Sequence, residues 1–394
     1  MWHFVSPRIV FGEAALSSLE DINCKRALVV TDQTLVQLGI VERVTGLLSK
    51  KGVETLVFDQ VEPDPTLTSV ELGVQAANSF NPDWIIGLGG GSPMDAAKAI
   101  WVLYERPDLI PAGINPFIEL GLRQKARLVT IPTTSGTGAE VTWAIVLTDP
   151  ESKRKMGLGN RENAADIALV DPALASGMPP RLTADTGLDA LTHAIEGYIC
   201  TWHTDITDGL CLNAARVVFK YLPTAYEASQ ADNPGQEHFL QAREKMHNAA
   251  TSAGLGFGNA MASLAHAMGH VLGSVFGIPH GRAVSMCLPY TIEFAAREEP
   301  SRISDLARVL GIQFSNADVG KQFSAAIQDL LKITETPLNL KDLGINENDF
   351  NSQIDKLVDD SFNDTQIITA PRAPSYQELE KIFRYLYRGQ SIDF

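Results

Sequence analysis

The chain has 394 residues, of which 45% are hydrophobic and 20% charged, so it is long enough for two domains of an ordinary globular protein. Its formal net charge of −15 argues against nucleic acid or an anionic membrane surface as a partner. It has no segment approaching the ~20 apolar residues of a membrane span and no signal-type apolar core at its start, and its 4 cysteines are scattered, so we expect a reduced, cytoplasmic protein.

The first half of the chain alternates short β-branched runs with helical stretches. The runs typical of strands are Arg26–Thr31, Glu54–Phe58, Trp84–Leu88, Arg127–Ile131 and Ile167–Val170. Strands separated by helices indicate a parallel sheet with helices on both faces. We therefore predict an α/β domain over residues 1–178.

A glycine-rich loop, GGGSPMD at residues 89–95, directly follows the third of these strands. Glycines let the backbone turn sharply and let a phosphate approach closely. Ser92 fits the N-cap, Pro93 the first position and Asp95 the third position of a following helix, whose N-terminus would favour a pyrophosphate. The loop therefore predicts a dinucleotide site, although a tight structural turn could have the same sequence.

Asp32 ends the first clear strand, well before the glycine loop. This order of acid and glycines is the reverse of the usual Rossmann arrangement, so any dinucleotide fold here is a different one. An aspartate at this position can accept a hydrogen bond from the adenosine ribose and would repel a 2′-phosphate, which favours NAD over NADP. An ordinary turn aspartate fits the sequence equally well.

A hydroxyl-rich loop, residues 132–142, follows the strand Arg127–Ile131 and contains Thr133, Thr134 and Thr137. Ligands of α/β sheets bind at the carboxyl ends of strands, so these hydroxyls could donate to phosphate, ribose or nicotinamide. A surface loop rich in serine and threonine is the alternative. Lys155 could also reach a cofactor, or it could belong to a solvated run of charge.

Helical periodicity replaces the strand pattern from about Pro179 onward. The predicted helices are Ala184–Tyr198, Asp205–Tyr221, Gln236–Asn259, Met261–Val275, Glu347–Phe362 and Tyr376–Tyr387. We therefore predict an all-α domain over residues 179–394.

Histidines and one carboxylate recur at helical spacing within this second domain. Asp189 and His193 are four residues apart, as are His266 and His270, so each pair shares a helix face. His280 follows a helix break and is predicted to lie in a Pro-His-Gly turn. Apolar neighbours indicate burial, and a buried imidazole needs a partner. These segments predict a divalent metal site, with satisfied core histidines as the alternative.

These motifs together resemble the iron-containing (group III) alcohol dehydrogenases, and are similar to the lactaldehyde/propanediol-type and butanol-type enzymes. The resemblance rests on the sequences GGGSPMDAAKA, PTTSGTGAEVT, DALTHAIEGY and HAMGHVLGSVFGIPHG. It implies a dehydroquinate synthase-like fold, in which an NAD-binding α/β domain precedes an all-α metal-binding domain. It also implies a homodimer or a higher homo-oligomer.

The resemblance further implies roles for individual residues. The implied metal ligands are Asp189, His193, His266 and His280. His270 would transfer a proton. The implied cofactor contacts are Asp32, Gly89, Gly90, Gly91, Ser92, Asp95, Thr133, Thr134 and Thr137.

We therefore expect a metal-dependent oxidoreductase that transfers a hydride between NAD(H) and a small primary alcohol or diol and its aldehyde. Fe²⁺ is the implied metal, and Zn²⁺ or another divalent ion also suits nitrogen and oxygen ligands. The alternatives on the same fold are a glycerol dehydrogenase, a maleylacetate reductase and a dehydroquinate synthase. A scarcity of Arg and Lys near the histidines counts against the synthase. A nucleotide- or metal-binding protein without catalysis is the alternative outside the enzymes.

Overall fold

A computed structural model describes residues 3–150, 155–315 and 318–394 of the chain. It divides into two compact units, Met1–Gly177 and Met178–Phe394. The first unit is built on a parallel sheet, and the described part of the second consists of helices and their connections, which confirms the predicted fold class. Among the described residues, no helix combines the length and the apolar character needed to cross a membrane.

The first unit contains a six-stranded parallel sheet and a separate antiparallel pair. The strands are β1 (Arg8–Phe11), β2 (Arg26–Val30), β3 (Glu54–Phe58), β4 (Trp84–Gly89), β5 (Arg127–Pro132), β6 (Ala144–Thr148), β7 (Lys155–Gly159) and β8 (Ile167–Val170). The large sheet has the order β1-β8-β5-β4-β2-β3, and β6 pairs with β7. All five predicted strands are confirmed. β1, β6 and β7 were not predicted, because each is short and only partly buried, with a weak apolar pattern.

Helices cover both faces of the large sheet, as predicted. They are α1 (Gln33–Gln37), α2 (Ile40–Lys50), α3 (Leu67–Phe80), α4 (Gly91–Glu105) and α5 (Pro172–Ala175). Successive side chains of β2 point to opposite faces, so Leu28 packs in the core formed with α3 and α4, and Val29 packs in the core formed with α2. Both cores consist of buried apolar residues, mostly aliphatic with a few aromatic side chains such as Trp84 and Trp101.

The strand order places a topological switch point between β2 and β4. These two strands are neighbours, yet the chain leaves β2 towards β3 at one edge and leaves β4 towards β5 in the opposite direction. Open α/β sheets bind ligands in the crevice at the carboxyl ends of such strands. Asp32 and the glycine-rich loop follow β2 and β4 at this point.

The second unit consists of nine α-helices within the described residues. They are α6 (Pro180–Ile199), α7 (Asp205–Gln230), α8 (Glu237–Asn259), α9 (Leu264–Phe276), α10 (His280–Ala295), α11 (Pro300–Leu310), α12 (Val319–Ile333), α13 (Glu347–Phe362) and α14 (Tyr376–Arg388). All the predicted helices are present. The predicted turn at His280 is wrong: Gly277 ends α9 in a left-handed conformation, but Pro279 is already the N-cap of α10 and His280 its first residue.

Two glycines let α6, α9 and α10 approach one another closely. A Cβ atom on Gly269 of α9 would lie 2.5 Å from Val284 Cγ1 on α10. A Cβ atom on Gly281 would lie 2.1 Å from the carbonyl oxygen of Asp185 on α6. The backbones of these three helices therefore meet where a side chain would not fit.

Candidate metal centre and nucleotide loops

Four side chains from three helices meet in the second unit. Asp189 and His193 come from α6, His266 comes from α9, and His280 begins α10, and one ligand atom of each lies within 4.8 Å of the others. Asp189 Oδ1 lies 3.6 Å from His193 Nδ1, 3.8 Å from His266 Nε2 and 3.5 Å from His280 Nε2. His280 is partly exposed, and the other three are buried.

These separations are longer than good hydrogen bonds but suit atoms that share an ion. Two ligands about 2.1 Å from one ion at a tetrahedral angle would lie about 3.4 Å apart. Asp189 Oδ1 and His266 Nε2 are buried and have no hydrogen-bond partner among the described residues, a costly arrangement unless another group satisfies them. Three imidazoles and one carboxylate therefore fit a divalent transition metal such as Fe²⁺ or Zn²⁺.

The electrostatics of Asp189 also favour a cation. Burial, followed by repulsion from Asp185, raises the pKa of the Asp189 carboxyl to about 8. A divalent ion would stabilise the ionised carboxylate and reverse this shift. Metal binding and deprotonation of Asp189 are therefore coupled.

Two carboxylates that were not predicted from the sequence support the cluster. Glu196 lies 2.6 Å from His266 Nδ1 through its Oε2 atom. Asp185 accepts two hydrogen bonds from the buried guanidinium of Arg282, at 3.1 Å from Nε and 2.7 Å from Nη2. Both acids lie on α6 at helical spacing from Asp189, so a search for polar residues along one face of this apolar helix could have found them.

His270 lies beside the four-residue cluster. Its ring stacks on that of His280, with centroids 5.3 Å apart and planes 20° from parallel. Its Nδ1 atom lies 2.8 Å from Asp364 Oδ2, and its side chain is 21% exposed. The predicted role of His270 in proton transfer stays a prediction, and its partner Asp364 was not predicted from the sequence.

The glycine-rich loop differs from its predicted capping pattern. Helix α4 begins at Gly91 with Gly90 at the N-cap, and no side chain caps it, so the predicted N-cap at Ser92 is wrong. Asp95 is buried, where it accepts a hydrogen bond from the backbone N–H of Val146 at 2.9 Å and lies 3.4 Å from Lys98 Nζ. Because this carboxylate is held inward, it does not reach back to the cap. Its cofactor role stays a prediction.

The glycine-rich and hydroxyl-rich loops contact each other at the carboxyl ends of β4 and β5. A Cβ atom on Gly90 would lie 3.4 Å from Thr134 Oγ1, and one on Gly91 would lie 3.1 Å from Thr137 Cγ2. Four of the predicted cofactor residues are therefore neighbours.

Thr133, the first residue after β5, also joins the glycine-rich loop to the hydroxyl-rich loop. The backbone N–H of Thr133 donates to the carbonyl oxygen of Gly89 at 2.9 Å, and Thr133 itself is buried. The two loops are therefore joined by a backbone hydrogen bond directly beyond the sheet.

The remaining predicted cofactor residues lie at the same edge. Asp32 is the N-cap of α1, where its side chain accepts from the backbone N–H of Leu35 at 3.0 Å. Lys155 Nζ lies 2.7 Å from Asp64 Oδ1, and the backbone N–H of Asp64 donates to Ser92 Oγ at 3.3 Å. Lys155 is thus linked to the glycine-rich loop, and cofactor roles for both predicted residues stay predictions.

Comparison with known families covers both units. A family model described as iron-containing alcohol dehydrogenase matches residues 6–172, and the C-terminal model of the Fe-containing alcohol dehydrogenase family matches residues 183–387. The chain is 38% identical over 398 residues to the NADPH-dependent butanol dehydrogenase of Clostridium saccharobutylicum, with 100% of each covered. It spans 46% of the length of several longer aldehyde-alcohol dehydrogenases.

Solved structures agree with this result. A 1,3-propanediol oxidoreductase is 32% identical, with a TM-score of 0.90 and coverage of 98% of this chain and 100% of that one. The sulfoacetaldehyde reductase of Bifidobacterium kashiwanohense, solved in complex with NAD⁺, is 30% identical, with a TM-score of 0.86 and 98% of each chain covered.

Proposed function

Because the chain belongs to the iron-containing alcohol dehydrogenase family, we propose that it transfers a hydride between NAD(H) and a small primary alcohol or diol and its aldehyde. The observation that carries this proposal is the convergence of Asp189, His193, His266 and His280, with two buried ligand atoms that have no hydrogen-bond partner within the described part of the chain. These four residues would hold the metal, and Fe²⁺ is the proposed ion.

A divalent ion in this cluster supplies a Lewis acid that lowers the pKa of an alcohol or polarises an aldehyde carbonyl. The chain's own residues hold the ligands rigidly for this chemistry. The His193 ring stacks on Phe257 with centroids 4.0 Å apart and planes 14° from parallel, which fixes the imidazole plane. The close approach of α10 to α6 at Gly281 places His280 opposite Asp189.

His270 would move the proton that the alcohol loses. Asp364 accepts a hydrogen bond from Nδ1 of this imidazole in the proposed tautomer, which leaves Nε2 with its lone pair. The partial exposure of the ring supports a path for that proton to solvent. His270 thus acts as a proton carrier next to the metal ligands rather than as one of them.

The cofactor would bind at the topological switch point of the first unit. The uncapped N-terminus of α4 and the adjoining hydroxyl-rich loop suit a pyrophosphate and the groups beside it. Bound NAD⁺ supplies the hydride acceptor. We assign NAD-binding to residues 1–178 and metal-binding to residues 179–394.

The preference for NAD over NADP rests on Asp32, at the carboxyl end of β2. Its carboxylate would accept from a ribose hydroxyl and would repel a 2′-phosphate. One related structure contains NAD⁺, whereas the related butanol dehydrogenase is NADPH-dependent, and turnover with NAD(H) and with NADP(H) distinguishes the two cofactors.

The alternative reactions on this fold are supported less well. A dehydroquinate synthase needs a basic pocket, and the guanidinium of Arg282 beside the cluster is already paired with Asp185. Glycerol dehydrogenases and maleylacetate reductases tend to use fewer or different ligands than the four residues found here.

We also propose a homodimer or larger homo-oligomer in the cytoplasm. The family resemblance supports the assembly, and four free cysteines suit a reducing compartment. Size-exclusion chromatography with light scattering would give the mass of the assembly, and a monomer would contradict this part of the proposal.

The function is tested by turnover after the protein is stripped with a chelator and reconstituted anaerobically with Fe²⁺ or Zn²⁺. The substrates are ethanol, butanol, 1,2-propanediol and their aldehydes, each with NAD(H) and NADP(H). We expect Fe²⁺ to restore NAD(H)-linked activity on at least one of these pairs. Binding of NADH without turnover in the presence of either metal would mean that the fold performs a different reaction.

A further inference from the structure

Glu196 contacts His266 on the ring nitrogen that does not face the metal cluster. Its Oε2 atom lies 2.6 Å from His266 Nδ1, while His266 Nε2 lies 3.8 Å from Asp189 Oδ1. Glu196 is 1% exposed, and His266 is 3% exposed. The imidazole is therefore held between two buried carboxylates, one in the cluster and one behind it.

The same carboxylate of Glu196 also accepts hydrogen bonds from the backbone at the start of α9. Its Oε2 atom accepts from the N–H groups of Ser263 at 2.9 Å and His266 at 3.3 Å, and its Oε1 atom accepts from the N–H of Ala265 at 2.5 Å. No side chain of α9 itself caps this helix. Glu196 therefore caps α9 from the neighbouring helix α6.

These contacts determine the direction of the hydrogen bond to the imidazole. Backbone amides can only donate, so both oxygens of Glu196 act as acceptors towards α9. A proton on Oε2 would point at the N–H groups of Ser263 and His266, which are donors themselves and cannot accept it. The remaining partner, His266 Nδ1, is therefore the donor, which places the proton on Nδ1 and leaves the lone pair on Nε2.

We propose that Glu196 is a positioning residue of the metal centre, which fixes the tautomer and the orientation of His266 so that Nε2 faces the ion. The proposal rests on the proposed function only in taking Asp189, His193, His266 and His280 as the metal site. Partners of this kind raise the basicity of a ligating imidazole and hold its ring in place. The helix cap fixes the backbone of His266 through the same carboxylate.

Substitution of Glu196 by glutamine tests the tautomer with little change of shape. One acceptor oxygen becomes an NH₂ donor. In one orientation this group opposes the N–H of Ala265. In the other it faces His266 Nδ1, which must then accept, so the imidazole proton moves to Nε2 and blocks the ligand atom. Neither orientation preserves the wild-type set of contacts.

The measurement is the affinity of the chelator-treated protein for Zn²⁺, by competition with a chromophoric chelator. Glu196→Gln should weaken binding by about 10- to 100-fold relative to the wild type. The matched control is Glu293→Gln, because Glu293 is a buried acid of the same unit that accepts from Ser391 and Ile392 instead of a histidine. This control should retain the wild-type affinity.

A double-mutant cycle separates positioning from helix capping. In a His266→Ala background, Glu196→Gln should cause no further loss of Zn²⁺ affinity, since the imidazole through which it acts is gone. An equal loss in both backgrounds would show that Glu196 acts only as a cap and would overturn the proposal. Wild-type affinity in Glu196→Gln would also overturn it. A wild-type protein that binds neither Zn²⁺ nor Fe²⁺ would instead overturn the proposed metal site itself.

A second test uses the wild-type protein and therefore does not depend on whether Glu196→Gln folds. Labelling with ¹⁵N-histidine reports which ring nitrogen carries the proton in the metal-free protein, at a pH well above the usual range of an imidazole. His266 should be protonated at Nδ1, with its signal assigned by comparison with His266→Ala. Protonation at Nε2 would overturn the proposal.

Discussion

Substitution of Asp189 by asparagine should abolish metal binding and, at the same time, stabilise the metal-free protein. The physical reason is that Asp189 is almost completely buried, with Asp185 as a second acid nearby and no Lys or Arg paired with it among the described residues. Asparagine resembles the protonated acid in shape, and its side-chain amide does not ionise in this pH range. A metal-ligating residue that destabilises the metal-free protein is an example of stability lost for the sake of function.

The sign and size of this effect follow from the pKa of Asp189. Burial raises it to about 8 in the folded state, whereas the unfolded chain has the ordinary value of about 3.9. Between these two values the unfolded state loses the proton and the folded state keeps it, so stability falls as the pH rises. At about 1.4 kcal/mol per pH unit, the penalty is about 4 kcal/mol at pH 7 and about 1–2 kcal/mol at pH 5.

The assay is urea or thermal unfolding of the chelator-treated protein at both pH values. Asp189→Asn should exceed the wild type in unfolding free energy by up to about 4 kcal/mol at pH 7, and by clearly less at pH 5. Asp329→Asn, at a solvent-exposed acid on α12, is the matched control and should change stability by about 0.5 kcal/mol or less. A variant that is less stable than the wild type at pH 7, or a gain that does not depend on pH, would refute the reasoning.

Three further substitutions test other parts of the structure. Gly281→Ala places a Cβ atom 2.1 Å from the carbonyl of Asp185, so it should lower both the melting temperature and the Zn²⁺ affinity, whereas Gly209→Ala in open space on α7 should lower neither. Arg282→Met removes the guanidinium that pairs with buried Asp185 and leaves only the longer contact with Arg181 Nε at 4.0 Å, so it should cost up to about 3–5 kcal/mol in urea unfolding at pH 7. Asp32→Ser keeps an N-cap residue but removes the charge, so the ratio of kcat/KM for NADP to that for NAD should rise; an unchanged ratio would remove Asp32 from cofactor choice.

Helical spacing predicted which residues share a helix face, but it did not determine which of them meet. His266 and His270 are four residues apart and share one face of α9. His266 nevertheless joins the cluster, whereas His270 lies beside it and contacts Asp364. That outcome depends on how α9 packs against α6 and α10. The assignment of the four ligands came from resemblance to a family, whereas their convergence is a tertiary property.

Local sequence patterns failed where distant contacts decide the outcome. Ser92 and Asp95 fit a capping pattern, but Asp95 is held inward by Val146 and Lys98, and the helix begins two residues earlier than predicted, after Gly90. Glu196 was missed because its partners are in α9, far along the chain. Strong periodic segments such as the helix Glu347–Phe362 were predicted with their observed bounds, since local pattern and burial agree there.

The most direct test of the central claim is the iron content of the anaerobically reconstituted protein, measured by elemental mass spectrometry beside NAD(H)-linked turnover on the best substrate pair. The wild type should bind one Fe²⁺ per chain, and turnover should rise in proportion to bound iron. Asp189→Asn should bind no Fe²⁺ and should show no turnover. Full turnover in iron-free protein, or stoichiometric iron in Asp189→Asn, would contradict a catalytic metal held by Asp189, His193, His266 and His280.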